Sequence, residues 1–317
     1  MTDAIKTWLS NTAYGLVTRT LFRAATSPEV LRRRFERFGA ISRGAMVQRH
    51  PRVAFADHTV GKLAIESVCA VSAPRCAILY LHGGAFVFGS PASYRNRAMR
   101  VSYRCRAEVF VPDYRLAPEH RFPAALDDAL VAWQYLRALR SSLPIFVAGD
   151  SAGGGLAISL AIRLRQLGAT LPDGIIAISP WLDLGPCVAD HARDRWLTPR
   201  HLAQWARYYV GDGDPSDPLV SPAYADLAGL PPLLAFAGEH ELLAAGVRRL
   251  VAAARRAGTP AELCIGAGMQ HDFLLTLPWL AESRRAWELL ATFVDAHASA
   301  ACGLESATLT GETACNR

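Results

Sequence analysis

Gly149-Asp150-Ser151-Ala152-Gly153 sets one hydroxyl in the pattern G-x-S-x-G. An apolar run, "PIFVAG", leads into it, and an apolar-striped helix, "AGGGLAISLAIRLRQLG", follows. A strand-to-helix turn this tight forces strained dihedrals on its central residue. Flanking glycines avoid the clash and leave the hydroxyl exposed above the sheet. The helix start adds backbone N–H groups and positive potential at the same place. The pattern alone also fits an ordinary glycine turn that happens to contain serine, so its partners decide.

A serine hydroxyl attacks poorly unless a base removes its proton, and the base needs an acid to orient it. On such an elbow the expected chain order is serine, acid, histidine. His271 in "GAGMQHDF" is the best-placed base, after a weak strand at 261–266 and before the last helix. The acid should follow the preceding strand, where "PLLAFAGEHELLAAG" offers Glu239 and Glu241. His240-Glu241 also opens an H-E-x-x pattern, but position 244 is alanine, so a zinc site is not supported and no metal is expected. Asp272 adjoins His271. Neighbouring side chains generally diverge, so Asp272 reads as a solvated loop acid. Attack on an acyl carbon creates an anionic oxygen that needs preplaced donors, and glycine lets backbone N–H groups approach closely. His82-Gly83-Gly84-Ala85, after the run ending at Leu81, supplies such a loop.

These residues need a frame. Near-continuous apolar runs at 77–81, 108–112, 144–149, 174–179 and 232–238, with a weaker one at 261–266, read as buried strands. Helical stretches at about 92–104, 123–139, 152–167, 242–257 and 280–297 separate them. This alternation predicts an α/β fold with a mostly parallel sheet covered on both faces. Alternating residues at about 51–70 add antiparallel edge strands. Between Pro180 and Pro231 the rhythm breaks for longer than such connections usually run. Within it "TPRHLAQWARYYVG" reads as a helix with Thr198 as N-cap and Pro199 at the first position, which suggests a lid.

The net charge is +6 over 317 residues, and the surplus is concentrated. Arg19 to Arg49 holds eight arginines against Glu29 and Glu36. No nucleic-acid module accompanies this basic arm. Ile5, Trp8, Leu9, Leu16, Val17 and Leu21 fall on one helical face, and Leu31, Phe35 and Phe38 on a second. These stripes could touch a membrane surface, but packing over the protein's own cleft is favoured. Seven cysteines, an odd number without a C-x-x-C pair, point to mostly buried free thiols in a reducing compartment. With neither a membrane span nor a signal peptide in view, a cytoplasmic protein is expected.

"HGGAFVFGSP", "VPDYRLAPEHRFPAALDDA", "GDSAGG", "SPWLDL", "DPLVSPAYADLAGLPPLL" and "GMQHDF" occur in an order that resembles the bacterial hormone-sensitive-lipase-like esterases of the α/β-hydrolase fold. The likeness covers roughly 50 to 297. It implies a helical cap from residues 1–50 and 183–220 and an α/β core from 51–182 and 221–297, while the tail over 298–317, which has no periodicity, is expected to be disordered. It makes Ser151 the nucleophile, His271 the base and Glu241 the acid, where the family usually has aspartate, and leaves Glu239 outside the triad. The oxyanion hole would comprise Gly83, Gly84, Ala85 and Ala152, with Gly83 shaping the loop, His82 bracing it and the other three donating N–H. Ala85 stands where the family has a third glycine, which should narrow the pocket. The implied activity is serine carboxylesterase on short- to medium-chain acyl esters, without cofactor. Alternatives are an interfacial lipase, an amide or carbamate hydrolase with the same triad, or a ligand-binding receptor on a hydrolase frame. A homodimer is compatible with all of them.

Overall fold

Strands buried on both faces need helices on both sides, and the protein builds that sandwich. The computed structural model describes residues 9–13, 15–16, 27–39, 43–186 and 194–301. Its strands are β1 (Ala54–Val60), β2 (Leu63–Cys69), β3 (Cys76–Leu81), β4 (Ala107–Pro112), β5 (Ile145–Asp150), β6 (Gly174–Ile178), β7 (Leu233–Gly238) and β8 (Ala261–Gly266). Among the described residues they form one sheet in the order β1-β2-β4-β3-β5-β6-β7-β8. From β4 to β8 neighbours run parallel, while β1 and β2 are antiparallel at one edge. Every residue of β3 to β7 is buried, which is why they appear in the sequence as unbroken apolar runs.

The helices are α1 (Pro28–Gly39), α2 (Arg43–Arg49), α3 (Pro91–Cys105), α4 (Ala124–Leu139), α5 (Ala152–Gln166), α6 (Pro199–Val210), α7 (Ala244–Arg256), α8 (Phe273–Thr276) and α9 (Ala281–Ala301). Trp133 of α4 and Leu156 of α5 lie in the core on one face of the sheet, with Trp287 of α9 and Val101 of α3 on the other. Helix α9 runs through Ala301, so 298–301 are helical where a disordered tail was expected, and the rest of that tail lies outside the described residues. Thr198 caps α6 as its sequence predicts, its hydroxyl accepting the N–H of His201 at 3.2 Å.

The N-terminal stripes behave differently from one another. Leu31 is buried in the core and the Phe35 ring meets that of Phe88, tilted, at 5.0 Å, so α1 packs on the body. Phe38 and, from the first stripe, Ile5, Trp8, Val17 and Leu21 fall outside the described residues or side chains. Leu9 and Leu16 turn outward, and contact with the body is polar instead: Asn11 Nδ2 donates to the Gly268 carbonyl, and Arg195 donates to Thr12 Oγ1. Cys69, Cys76, Cys105 and Cys264 are free thiols, while Cys187, Cys302 and Cys315 lie outside the described residues. Among the described residues no helix is long and apolar enough to cross a membrane.

Candidate active site

Because β3, β5, β6, β7 and β8 are parallel sheet neighbours, the loops leaving their carboxyl ends converge on one edge. Ser151 follows β5 directly, with φ 53° and ψ −121°, a strained conformation of the kind that costs on the order of 1–3 kcal/mol. The surroundings fix it. Its N–H donates to the Ile178 carbonyl and its carbonyl accepts the N–H of Trp181, both at 2.9 Å. A Cβ at Gly149 would fall 2.2 Å from the Gly153 carbonyl oxygen, and one at Gly153 would fall 2.0 Å from that of Leu81. Neither glycine can carry a side chain while the elbow keeps this shape.

His271, on the loop after β8, places Nε2 3.0 Å from Ser151 Oγ. Its Nδ1 lies 3.5 Å from Glu241 Oε2, on the loop after β7. That is an ion-pair distance rather than a hydrogen bond, and such contacts often tighten only when substrate is bound. Histidine and glutamate are both buried, 2% and 6% exposed. Glu239 is elsewhere, accepting the N–H of Gly268 at the surface. The structure thus joins Ser151, His271 and Glu241 and leaves Glu239 apart.

The loop after β3 approaches from the other side. Gly84, Ala85 and Phe86 all have positive φ, at 117°, 55° and 62°. Glycine is required at 84, where a Cβ would fall 1.9 Å from the Phe88 carbonyl oxygen. Ala85 accepts the left-handed conformation with its methyl in place. The N–H of Gly83 donates to Asp150 Oδ1 at 3.2 Å, so Gly83 shapes the loop and is not itself an open donor. The N–H groups of Gly84, Ala85 and Ala152 have no acceptor among the described residues. His82 braces the loop from beneath: fully buried, stacked on Tyr114 at 4.1 Å, with Nδ1 against the Gly83 carbonyl at 2.8 Å. Burial holds its pKa down to about 4.

A family model described as alpha/beta hydrolase fold matches residues 78–275. A solved esterase described as from the bacterial hormone-sensitive lipase family superposes with a TM-score of 0.81 at 30% identity, covering 91% of this chain and 98% of that one. The chain belongs to the bacterial hormone-sensitive-lipase-like esterases of the α/β-hydrolase fold. It is also similar to an acetyl-hydrolase of Streptomyces hygroscopicus, 40% identical over 74% of this chain and 81% of that protein. An esterase of Acinetobacter venetianus is 33% identical over 72% and 77%.

Three residues of this esterase complete the site without having been legible as site residues. Ser179 follows β6, between the elbow and the acid loop, with φ 45°. Its hydroxyl donates to Glu241 Oε2 at 2.7 Å and accepts the N–H of Asp272 at 3.0 Å, tying the acid loop to the histidine loop. Replacing it with alanine removes a hydrogen bond to a charged group. A kcat/KM lowered roughly tenfold is the expected outcome, with a lowered thermal midpoint because a buried carboxylate and a buried N–H lose that partner. Asp150, inside the motif itself, accepts the hydroxyls of Tyr80 and Tyr94 at 2.8 and 2.7 Å and so locks the elbow to the Gly83 loop. Asp272 is not a solvated loop acid: it is 5% exposed, and Oδ2 lies 3.5 Å from His271 Nε2. Its left-handed backbone, φ 54°, turns the side chain back beside the imidazole instead of away from it.

The cap closes over this group. Trp196 meets the His271 ring edge-on at 5.0 Å. Asp194 holds this stretch of the cap, accepting the N–H groups of Trp196 and Leu197 on Oδ1 and that of Leu242 on Oδ2. The N–H of Arg195 donates to Gln270 Oε1 at 2.9 Å.

Proposed function

We propose that the protein is a serine carboxylesterase for small acyl groups. The 3.0 Å contact between Ser151 Oγ and His271 Nε2 carries this reading. Ser151 attacks the acyl carbon as His271 takes its proton. The developing oxyanion is met by the N–H groups of Gly84, Ala85 and Ala152, which need no reorganisation. His271 then protonates the leaving alcohol, and water repeats the cycle on the acyl-enzyme. Glu241, held by Ser179, orients the imidazole and stabilises its charged form. Every step uses groups of the chain itself, so the reading calls for no cofactor.

The space among the described residues beside Ser151 supports a small acyl group. Phe35, Phe88, Trp196 and Trp205 wall a cavity of about 30 Å³ that also touches Gly84, Ala85 and Asp272. One water needs roughly 10–15 Å³ on that scale, so an acetyl or propionyl group fills it. A series of p-nitrophenyl esters tests the proposal. Acetate and propionate should give the highest kcat/KM, and octanoate should fall more than tenfold below acetate. A maximum at octanoate or longer would reject the small-acyl reading.

The pH profile follows from the buried charges. Burial works against protonation of His271, but Asp272, whose own carboxyl burial pushes well above the usual range, and Glu241, also raised by burial, together hold the imidazole up to about 9. The base acts only when neutral, so kcat/KM should climb as pH rises through that value, giving an alkaline optimum. Asp272→Asn removes one of the carboxylates raising the imidazole, and its climb should shift to lower pH. A profile unmoved by the substitution would mean that Asp272 carries no charge beside the ring.

A further inference from the structure

A larger cavity, about 510 Å³, lies away from the triad, at the far end of α3. Tyr94 and Arg97 on that helix face the cleft, and Arg104 lies seven residues further on, about 10 Å along the axis. Four arginines line the cavity: Arg49 at the end of α2, Arg52 from the segment entering β1, and Arg100 and Arg104 from α3. Among the described residues no aspartate or glutamate does. Arg100 is half-buried and donates to the Leu275 carbonyl, and burial together with Arg97 and Arg104 pushes its pKa down. Arg49, Arg52 and Arg104 are exposed, and no carboxylate pairs with any of them among the described residues.

The floor is of opposite character. Val53 and Trp287 are buried there, with Met99 half-buried beside them. Tyr103 of the wall is 66% exposed, and Trp279, next in the chain to the wall residue Pro278 but not itself lining the cavity, is 60% exposed. Large aromatics left in water beside unpaired guanidinium groups are unusual on a surface that faces only solvent. They suit the boundary of a lipid surface, where Trp and Tyr rest at headgroup depth and arginine forks grip phosphate.

We propose that this cavity binds the phosphate headgroup of an anionic phospholipid, docking the protein on a membrane surface by a face separate from the catalytic cleft. Exposed Tyr103 and Trp279 enter the interface beside it.

Flotation with vesicles tests this, using the full chain and two compositions, pure phosphatidylcholine and a mixture with 30% phosphatidylglycerol. Wild type should bind the anionic vesicles at low salt and release at high salt, with little binding to phosphatidylcholine. Arg52→Ala/Arg104→Ala should weaken binding roughly 25-fold, about fivefold per arginine, at about 1 kcal/mol each. Its hydrolysis of soluble p-nitrophenyl acetate should be unchanged, which also shows that the variant is folded. Trp279→Ser should weaken binding without altering the salt dependence. Ser151→Ala should bind as wild type, so loss of the esterase reading would leave this test intact. No binding to anionic vesicles at low salt overturns the proposal. So does equal binding by the double variant, which would assign any attachment to other basic segments. Glycerol 3-phosphate bound by the protein without vesicle binding would show a site for free phosphate esters and overturn it as well.

Discussion

Ser151→Ala should leave a folded protein whose turnover of p-nitrophenyl acetate is lower by roughly 10⁴-fold or more. The hydroxyl is the only group the proposal gives to acyl transfer, and His271 has no other nucleophile to activate at 3.0 Å. Ser151→Ala keeps a Cβ at a residue already held at positive φ, so the elbow loses one oxygen and no packing. His271→Ala should cause a loss of similar size, and the double variant little more, because groups that act as a unit are not additive. Rapid-mixing kinetics on the wild type should show a burst of nitrophenol equal to the enzyme concentration if deacylation is slow. An Ser151→Ala protein retaining more than a few per cent of turnover would remove Ser151 from the chemistry. A wild type that binds esters and turns none over would instead make the chain a receptor on a hydrolase frame.

The second large effect separates two acids that lie two residues apart. Glu241→Ala should lower kcat by about 10³- to 10⁴-fold, since an unoriented imidazole presents the wrong nitrogen to Ser151. Glu239→Ala should cost less than tenfold, because that carboxylate only accepts the N–H of Gly268 at the surface. Stability should follow the reverse logic at position 241. Its carboxyl is buried, and burial pushes its pKa up, so exchanging it for alanine removes an expensive charge as well as the Ser179 contact. Steady-state kinetics and thermal melts on both variants decide the assignment. The opposite ranking of activities would place the acid at 239.

The legible parts of the fold were those whose signal is local. Unbroken apolar runs marked β3 to β7 because both faces of each are covered, and Gly149 and Gly153 marked the elbow because nothing larger fits between the helix and Leu81. Ser151 and His271 followed from motif and strand order. The illegible parts depend on which loops meet. Ser179 looks like any serine at a strand end until β6 is seated between β5 and β7. Asp272 was misread because the rule that neighbouring side chains diverge assumes ordinary dihedrals, and this residue is left-handed. The outward turn of Leu9 and Leu16 was equally hidden, since an apolar stripe does not say which side it faces.

The Asp194 carboxylate ties the gate and the chemistry into an interlock. The same side chain holds the backbone of Trp196, over the imidazole, and that of Leu242, beside the acid, while Arg195 grips the loop that carries the base. Swinging the 194–197 segment outward therefore releases the two loops that arm the hydroxyl. A change at Asp194 would therefore be felt at the cap, at the loop of Glu241 and, through Arg195, at the loop of His271 together.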